Sequence, residues 1–283
     1  MKRLVPLLAC WLLPVALHAQ VVLYATNGNG NRSSLYRVDP QTAQATLVGP
    51  VLVAGSQVSV TALAFHPQTG VLYGVSGSEY SPSRQLFTID PVTAVTTVIG
   101  TIGTIRTENV SDLSFAADGT LYGWTTRGGP LVTIGLADAA RTVVGSALNG
   151  TQGNGLAFTP DGTLYLAGPT DGGSLYTVNP ATGALTTVAP LGNLPLNFGT
   201  AINAMASDPN GVLYATARGS GAQLVTIDRQ TGLLTSVGVL SFGEADALAF
   251  APVPEPATWL ALLLGGALLG LARLARRRAG GRG

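Results

Sequence analysis

The chain has 283 residues, of which 46% are apolar and 10% charged, well below the roughly 25% charged residues of an ordinary soluble protein. Residues 20–250 carry eight arginines, no lysine and 13 acids, a net charge of −5. Nucleic-acid binding depends on neutralising phosphates with basic side chains, so this composition excludes nucleic acid as a partner. Cys10 is the only cysteine, so the chain beyond it contains neither a thiol nor a disulfide.

Residues 1–19 have the layout of a secretory signal peptide. Lys2 and Arg3 precede an apolar run that ends at the small residue Ala19, which predicts export by the Sec machinery and cleavage by signal peptidase before Gln20. Two alternatives remain open. Leu7–Cys10 has the composition of a lipoprotein box, and the apolar run, although short for a membrane span, is a candidate N-terminal anchor.

Residues 253–283 form a second apolar segment with a basic end. The motif Pro254-Glu255-Pro256 precedes an apolar run that begins at Ala257. This run predicts one transmembrane helix over about residues 257–275, in which a basic side chain near the end extends to the membrane surface. The basic residues predict that the arginine-rich end, residues 276–283, stays in the cytoplasm; they are Arg273, Arg276, Arg277 and Arg278.

In this order, the Pro-Glu-Pro motif, the apolar run and the arginine cluster resemble the PEP-CTERM sorting domain. The resemblance implies recognition by an exosortase, cleavage near Pro254–Pro256 and only transient anchoring in the inner membrane. It also implies a Gram-negative host that makes exopolysaccharide, with the mature protein at the cell surface or in the extracellular matrix. The alternative is a single-span anchor that is never cut.

The stretch between these two ends consists of one unit repeated five times. The dipeptide Leu-Tyr begins at residues 23, 72, 121, 164 and 213, at intervals of 49, 49, 43 and 49 residues. In every unit but the first, an L-A-F segment precedes the Leu-Tyr segment. An Asp-Gly or Asn-Gly turn separates the two segments in the third, fourth and fifth units. Two further apolar segments follow, joined by a Pro-x-Thr-Gly-like turn. β-Branched residues cut by turns at this spacing predict four short strands per unit.

Four-stranded units of 40–50 residues are typical of a β-propeller. The first unit lacks its L-A-F strand, and that strand appears after the fifth unit as Ala247–Phe250. Residues 20–252 are therefore predicted to form an all-β, five-bladed β-propeller of four-stranded blades, closed by pairing of its N- and C-terminal strands. The repeats resemble the broad class of bacterial YVTN- and NHL-like propeller repeats. A β-solenoid is the alternative fold.

The repeat region contains few residues that suggest a catalytic or metal-binding site. His66 occupies a turn in which the other units carry turn residues, and the acids that recur after the third strand are expected to cap turns: Asp39, Asp90 and Asp228, with Asn179 in the fourth unit. The segment from Asn27 to Asn31 contains no carboxylate, so calcium is not expected there. Neither a metal site nor a cofactor is predicted.

The candidate binding residues occupy one position, two residues before the Leu or Met of each L-A-F segment. If that strand is innermost, five varied polar residues line the rim of the central channel and suit a ligand: Thr61, Ser111, Asn154, Asn203 and Asp246. The alternative is a water-filled channel without a ligand.

We expect a non-catalytic propeller that binds or scaffolds exopolysaccharide or biofilm matrix. A rival hypothesis is a glycan-active enzyme. Glycosidases need two carboxyl groups about 5–10 Å apart, and the candidate carboxylates near the channel are Glu108, Asp112, Glu244 and Asp246. A third reading is a propeller that mediates protein–protein contacts, and the fold alone does not separate the three.

Overall fold

The computed structural model describes residues 21–28, 32–78, 81–103, 109–125, 129–145, 155–168, 173–192, 198–219 and 222–252. The predicted signal peptide and the predicted sorting tail both lie outside these ranges, as does the predicted transmembrane helix. Within the described ranges, no helix has the length and apolar character needed to cross a membrane.

Five antiparallel four-stranded sheets form the blades, which confirms the predicted fold class. Blade 1 contains β22 (Ala245–Phe250), β1 (Leu23–Asn27), β2 (Ser34–Val38) and β3 (Ala45–Pro50). Blade 2 contains β6 (Val60–Phe65), β7 (Leu72–Ser76), β8 (Gln85–Ile89) and β9 (Thr96–Thr101). Blade 3 contains β10 (Val110–Phe115), β11 (Leu121–Thr125), β12 (Leu131–Ile134) and β13 (Arg141–Val143).

Blade 4 contains β14 (Gly155–Phe158), β15 (Leu164–Ala167), β16 (Ser174–Val178) and β17 (Leu185–Pro190). Blade 5 contains β18 (Phe198–Ser207), β19 (Leu213–Gly219), β20 (Gln223–Ile227) and β21 (Leu234–Val239). A small hairpin in the connection between blades 1 and 2 pairs β4 (Leu52–Val53) with β5 (Ser56–Gln57).

The ring closes through β22, as the missing strand of the first unit predicts. β22 pairs antiparallel with β1, with Leu23 opposite Phe250 and Ala25 opposite Leu248. β22 also contacts the innermost strands on both sides, β6 and β18. The two ends of the repeat region therefore share one sheet, and β22 pairs the edge of β1 that would otherwise be free.

The motif residues Tyr and Phe pack against each other across the blade interfaces. At four of the blade interfaces, the tyrosine of the Leu-Tyr strand contacts the phenylalanine of the next blade's L-A-F strand. The ring centroids are 5.1–5.4 Å apart in the pairs Tyr24–Phe65, Tyr73–Phe115, Tyr122–Phe158 and Tyr214–Phe250. Tilted and edge-on contacts of this kind contribute beyond the area they bury. The two recurring motifs are thus the two halves of one interface.

The interface between blades 4 and 5 departs from this pattern. Ser207 occupies the position of the phenylalanine, opposite Leu213 just as Phe250 is opposite Leu23. Tyr165 therefore has no ring to meet there. An ion pair spans this interface instead, with Arg229 Nη1 2.8 Å from Asp161 Oδ2.

The face that carries the hairpin turns, here called the turn face, is regular in every described blade. Gly119, Gly162 and Gly211 adopt positive φ in the turns that precede the Leu-Tyr strands, as the Asp-Gly and Asn-Gly signals predict. The recurring acids cap turns as expected: Asp90 Oδ1 accepts the N–H groups of Val92 and Thr93. His66 is also a turn residue, because its Nδ1 accepts the N–H groups of Gln68 and Thr69.

Candidate functional site

The five L-A-F strands form the innermost ring of the propeller, which confirms the assumption behind the predicted channel rim. β6, β10, β14, β18 and β22 each contact the next one round the ring. Each begins at the face opposite the turn face, which we call the loop face because the longer connections between strands lie there. The candidate rim residues lie where these strands begin.

The described rim residues share a structural peculiarity, since each occupies a β-bulge. The pairing of the inner strand with the second strand shifts register at each of these positions, between Val60 and Ala62, for example, and between Val110 and Asp112. A bulge inserts one unpaired residue and re-aims its side chain. The residues concerned are Thr61, Ser111, Asn203 and Asp246; the fifth candidate, Asn154, lies outside the described residues.

Most of these side chains are buried and bond to neighbouring strands. Thr61, which is partly exposed, donates its hydroxyl to the carbonyl of Val110 in the next blade, at 2.9 Å. Ser111 is buried and donates to the carbonyl of Trp124 in its own blade, at 3.0 Å. The structure therefore brings the predicted ring together, but it uses these hydroxyl groups to hold strands in place.

Asn203 and Asp246 form the corresponding contact where blade 5 meets blade 1. Asn203 Nδ2 donates to the carbonyl of Ala245 at 2.8 Å and to Asp246 Oδ1. The Asp246 carboxylate lies against the backbone of Gly28, where an added Cβ would stand 1.8 Å from its Cγ. Any larger residue at position 28 would have to displace this carboxylate.

Asp112 occupies the centre of the ring. The residue is 0% exposed, and its carboxylate accepts backbone N–H groups from three inner strands. Oδ1 accepts from Leu113 at 2.9 Å, whereas Oδ2 accepts from Leu156 of blade 4 at 2.8 Å and from Met205 of blade 5 at 3.1 Å. One side chain thus joins blades 3, 4 and 5 next to the axis.

The neighbouring blades leave room for this carboxylate. At the position equivalent to Asp112 the other inner strands carry only small residues, all of them buried: Ala62, Gly155, Ala204 and Ala247. Two residues further along, Ser114 likewise stands where the other blades carry alanine, and its hydroxyl accepts the N–H of Phe158 at 2.8 Å. Sequence reasoning missed this role, although a polar residue among small apolar equivalents was a visible signal.

Burial raises the pKa of Asp112 well above its ordinary value, because desolvation penalises the charged form. The three backbone N–H groups act in the opposite direction, but they do not outweigh the desolvation. At the exposed turns the balance is reversed. Backbone N–H donors lower the pKa of Asp90 and Asp228 below the ordinary value.

The carboxylates that a glycan-active enzyme would use lie in different environments. Asp112 is enclosed among backbone donors, Asp246 is bonded to Asn203, and the backbone carbonyl of Glu244 accepts the N–H of Gly28 at 2.8 Å. Glu108 lies outside the described residues. Among the residues that the structure describes, no cluster of three or more histidine, cysteine or acidic side chains could hold a metal ion.

Comparison with known families accounts for almost the whole chain. The family described as Repeat of unknown function (DUF6923) matches residues 18–160 and 115–249. The chain belongs to this repeat family. The PEP-CTERM protein-sorting motif matches residues 252–278, where the sequence places Pro254-Glu255-Pro256 and the arginine cluster. This DUF6923 protein is therefore an exported, exosortase-sorted protein made as a membrane-anchored precursor. No curated protein matches the chain.

Solved structures of low sequence identity share the propeller fold. A chain of the nidogen/laminin complex is 15% identical, with a TM-score of 0.55 over 83% of this chain and 99% of that one. A protein of unknown function from Bacteroides caccae is 12% identical, with a TM-score of 0.54 over 82% and 99%. TolB from Acinetobacter baumannii is 15% identical, with a TM-score of 0.50 over 83% and 67%. At such low sequence identities, structural similarity shows only that the fold is shared.

Proposed function

We propose that the mature protein is a non-catalytic propeller that binds or scaffolds exopolysaccharide at the surface, or in the extracellular matrix, of a Gram-negative cell. The prediction that the protein is not an enzyme rests on the burial and hydrogen bonding of the carboxylate next to the channel. Both oxygens of Asp112 accept backbone N–H groups, and the side chain has no exposure. A general acid or base has to reach the proton that it transfers, and such a carboxylate supports the architecture instead.

The surface composition supports polysaccharide as the ligand class. The outermost strands expose neutral hydroxyl groups beside small aliphatic side chains, as at Thr97-Val98 and Thr142-Val143. Such surfaces offer hydrogen bonds and apolar contact without strong charge. The sorting motif adds that the protein is exported, so a ligand of this class is encountered outside the cell.

The loop face is the expected binding face. Its connections are long, whereas the turn face consists of short, repeated turns. Binding residues are found disproportionately on loops positioned by a rigid scaffold. Thr61 is the partly exposed member of the described rim.

The proposal is tested with residues 20–252 and the purified exopolysaccharide of the native host, assayed in parallel for binding and for release of shorter products. We expect saturable binding without products. Thr61→Val keeps the shape of the side chain, removes its hydroxyl, and should weaken binding roughly 2- to 12-fold, because a hydrogen bond contributes about 0.5–1.5 kcal/mol. Thr93→Val on the turn face is the matched control and should bind normally. Product release would establish the glycan-active enzyme, and absence of binding would favour a protein partner.

A further inference from the structure

The acidic side chains of the propeller are concentrated on one of its two faces. Seven of the 13 acids between residues 20 and 250 lie on the turn face, where each carboxylate accepts a backbone N–H group of its own hairpin turn: Asp39, Asp90, Asp118, Asp138, Asp161, Asp208 and Asp228. Near the channel, Asp112 is buried and Asp246 is bonded to Asn203. A negatively charged ligand is therefore repelled from the turn face and approaches the loop face with less opposition.

Arg84 lies on the loop face, in the connection between β7 and β8. Its backbone N–H donates to the carbonyls of Ser76 at 3.0 Å and of Gly77 at 3.1 Å, and its own carbonyl accepts the N–H of Ile102 at 2.7 Å. These bonds hold the residue at a φ of 53°. The other non-glycine residues with positive φ in the described ranges are all alanines, so Arg84 is the exception in which a long side chain occupies this costly conformation.

The guanidinium group of Arg84 is held in place without being neutralised. Its Nε is buried and bonds to none of the described groups, although the residue as a whole is partly exposed. None of the acids that the structure describes pairs with Arg84, whereas Arg229 on the turn face pairs with Asp161. Because Nε is enclosed, the terminal N–H groups are the ones that can meet a ligand. A cation that folding has already ordered in this way is prepared to bind a carboxylate.

Neutral polar groups flank the segment that Arg84 contacts. An added Cβ on Gly77 would stand 3.0 Å from Thr61 Cγ2, so Thr61 lies beside this segment. Asn109 Nδ2 donates to Ser78 Oγ at 2.7 Å, and Asn109 Oδ1 accepts no hydrogen bond from the described residues. A sugar acid presents a carboxylate together with hydroxyl groups, and it therefore matches a cation that has hydroxyl and amide groups as neighbours.

We propose that Arg84 binds the carboxylate of a uronic acid residue, so that the polysaccharide recognised at the loop face is an acidic one. This inference rests on the proposed function, which it narrows from exopolysaccharide in general to polysaccharides that contain uronic acids. The net charge of −5 over residues 20–250 disfavours unselective attraction of polyanions. Binding therefore depends on the local contacts at Arg84.

Isothermal titration of residues 21–252, which form one compact unit, tests the inference. The probes are oligomers of alginate and of polygalacturonate, with dextran of the same length as the neutral control. We expect binding of at least one polyuronate and none of dextran. Arg84→Gln should weaken that binding roughly tenfold or more, because a charge-assisted hydrogen bond is lost. Arg37→Gln is the matched control, since it removes the same charge at an exposed position of β2 and should bind like the wild type.

Reducing the carboxyl groups of the polyuronate to alcohols tests the same contact without altering the protein. Reduction should weaken binding by the wild type as much as Arg84→Gln does, and it should leave binding by Arg84→Gln unchanged. Losses that add would place the carboxylate elsewhere than on Arg84 and overturn the assignment.

Two further results would also overturn the inference. One is binding of neither polyuronate, and the other is binding of dextran or poly-glutamate as tightly as the polyuronates, since recognition would then not require a sugar acid. Each of these leaves the proposed function standing if the exopolysaccharide of the native host is still bound. Absence of that binding as well would remove the proposed function itself.

Discussion

The turn face and the layer around the channel are built in opposite ways. At the turn face each blade repeats the same solution, an Asx-type turn and a glycine or alanine at positive φ, as in Gly183 and Ala94. Around the channel the five blades are unequal, because Asp112 stands alone among small residues. Repetition thus supplies the local geometry of each blade, whereas a departure from repetition joins the blades to one another.

The same contrast separates the blade interfaces. Four of them contain a tyrosine–phenylalanine pair, and the interface between blades 4 and 5 contains Ser207 instead. Asp112 reaches that very interface, because its Oδ2 accepts N–H groups from both blades. The central carboxylate therefore supports the joint that lacks the aromatic contact. The following variants test this division of roles, beginning with the largest expected effect.

Deleting Ala245–Phe250 removes the inner strand of blade 1 and leaves an open edge on β1. The deletion loses that strand's ladder of hydrogen bonds and the burial of Leu248, a side chain whose burial contributes roughly 1.5–3 kcal/mol. Against a typical stability of about 5–15 kcal/mol, the truncated domain should unfold or aggregate. Thermal melting and light scattering measure this. A truncated domain that melts within a few degrees of the intact one would refute the closure.

Asp112→Ala should be the most harmful single substitution in the channel layer. It leaves the buried N–H groups of Leu156 and Met205 without their acceptor, at about 1–3 kcal/mol each. For a domain of this size the melting temperature should fall by roughly 5–20 °C. Asp138→Ala is the control, because its carboxylate accepts one N–H, from Ala140, in an exposed turn. Equal losses in the two variants would contradict a central role for Asp112.

Phe158→Ser gives the interface between blades 3 and 4 the composition of the one between blades 4 and 5. It removes the ring that lies 5.4 Å from Tyr122 and should lower the free energy of unfolding by about 1–3 kcal/mol, measured by urea denaturation. The control Ser207→Ala removes only a hydroxyl that donates to the adjacent Asp208 carbonyl, with an expected effect below about 0.5 kcal/mol. If the two changes have the same effect, the aromatic pairs do not stabilise the interfaces.

The last test is a pH dependence assigned to Asp112. Because its folded-state pKa lies above the ordinary value of 3.8, the folded state binds the proton more tightly than the unfolded chain does. Its contribution to stability is therefore complete below pH about 3.8 and is lost as pH rises through the folded pKa.

The difference in unfolding free energy between the wild type and Asp112→Asn isolates this contribution. The difference should decline as pH rises from about 3.8. The lowered pKa values of Asp90 and Asp228 act in the opposite sense, since their stabilisation is lost in acid. They are present in both proteins and cancel. A difference that does not change with pH would mean that the Asp112 pKa is the same in the folded and unfolded chains.

The sequence predicted what repetition makes visible. Blade number, strand order and the closing strand all follow from comparing copies, because each copy carries the same turn and strand signals. The role of His66 as a turn residue also followed, from alignment with the other units. These features depend on residues close together in the chain, or on a motif absent from one end and present at the other.

The contacts around the central channel could not be predicted from the repeats in the same way. Leu156 and Met205 reach Asp112 only after the ring has closed, across 44 and 93 residues. Ser111 and Asn203 are buried at bulges that the repeated sequence pattern does not reveal. Sequence reasoning placed these residues at one equivalent position of the repeat, and their hydrogen bonds form only in the assembled ring.

The shared blade also has a consequence for the order of events during export. β1 is among the first parts of the repeat region to leave the membrane, and its partner β22 is the last. Until residue 250 has emerged, the N-terminal blade lacks its inner strand and exposes an edge that favours aggregation. A chain cut short anywhere before that point cannot complete its ring. Only a molecule whose repeat region has been exported completely can therefore form the closed ring.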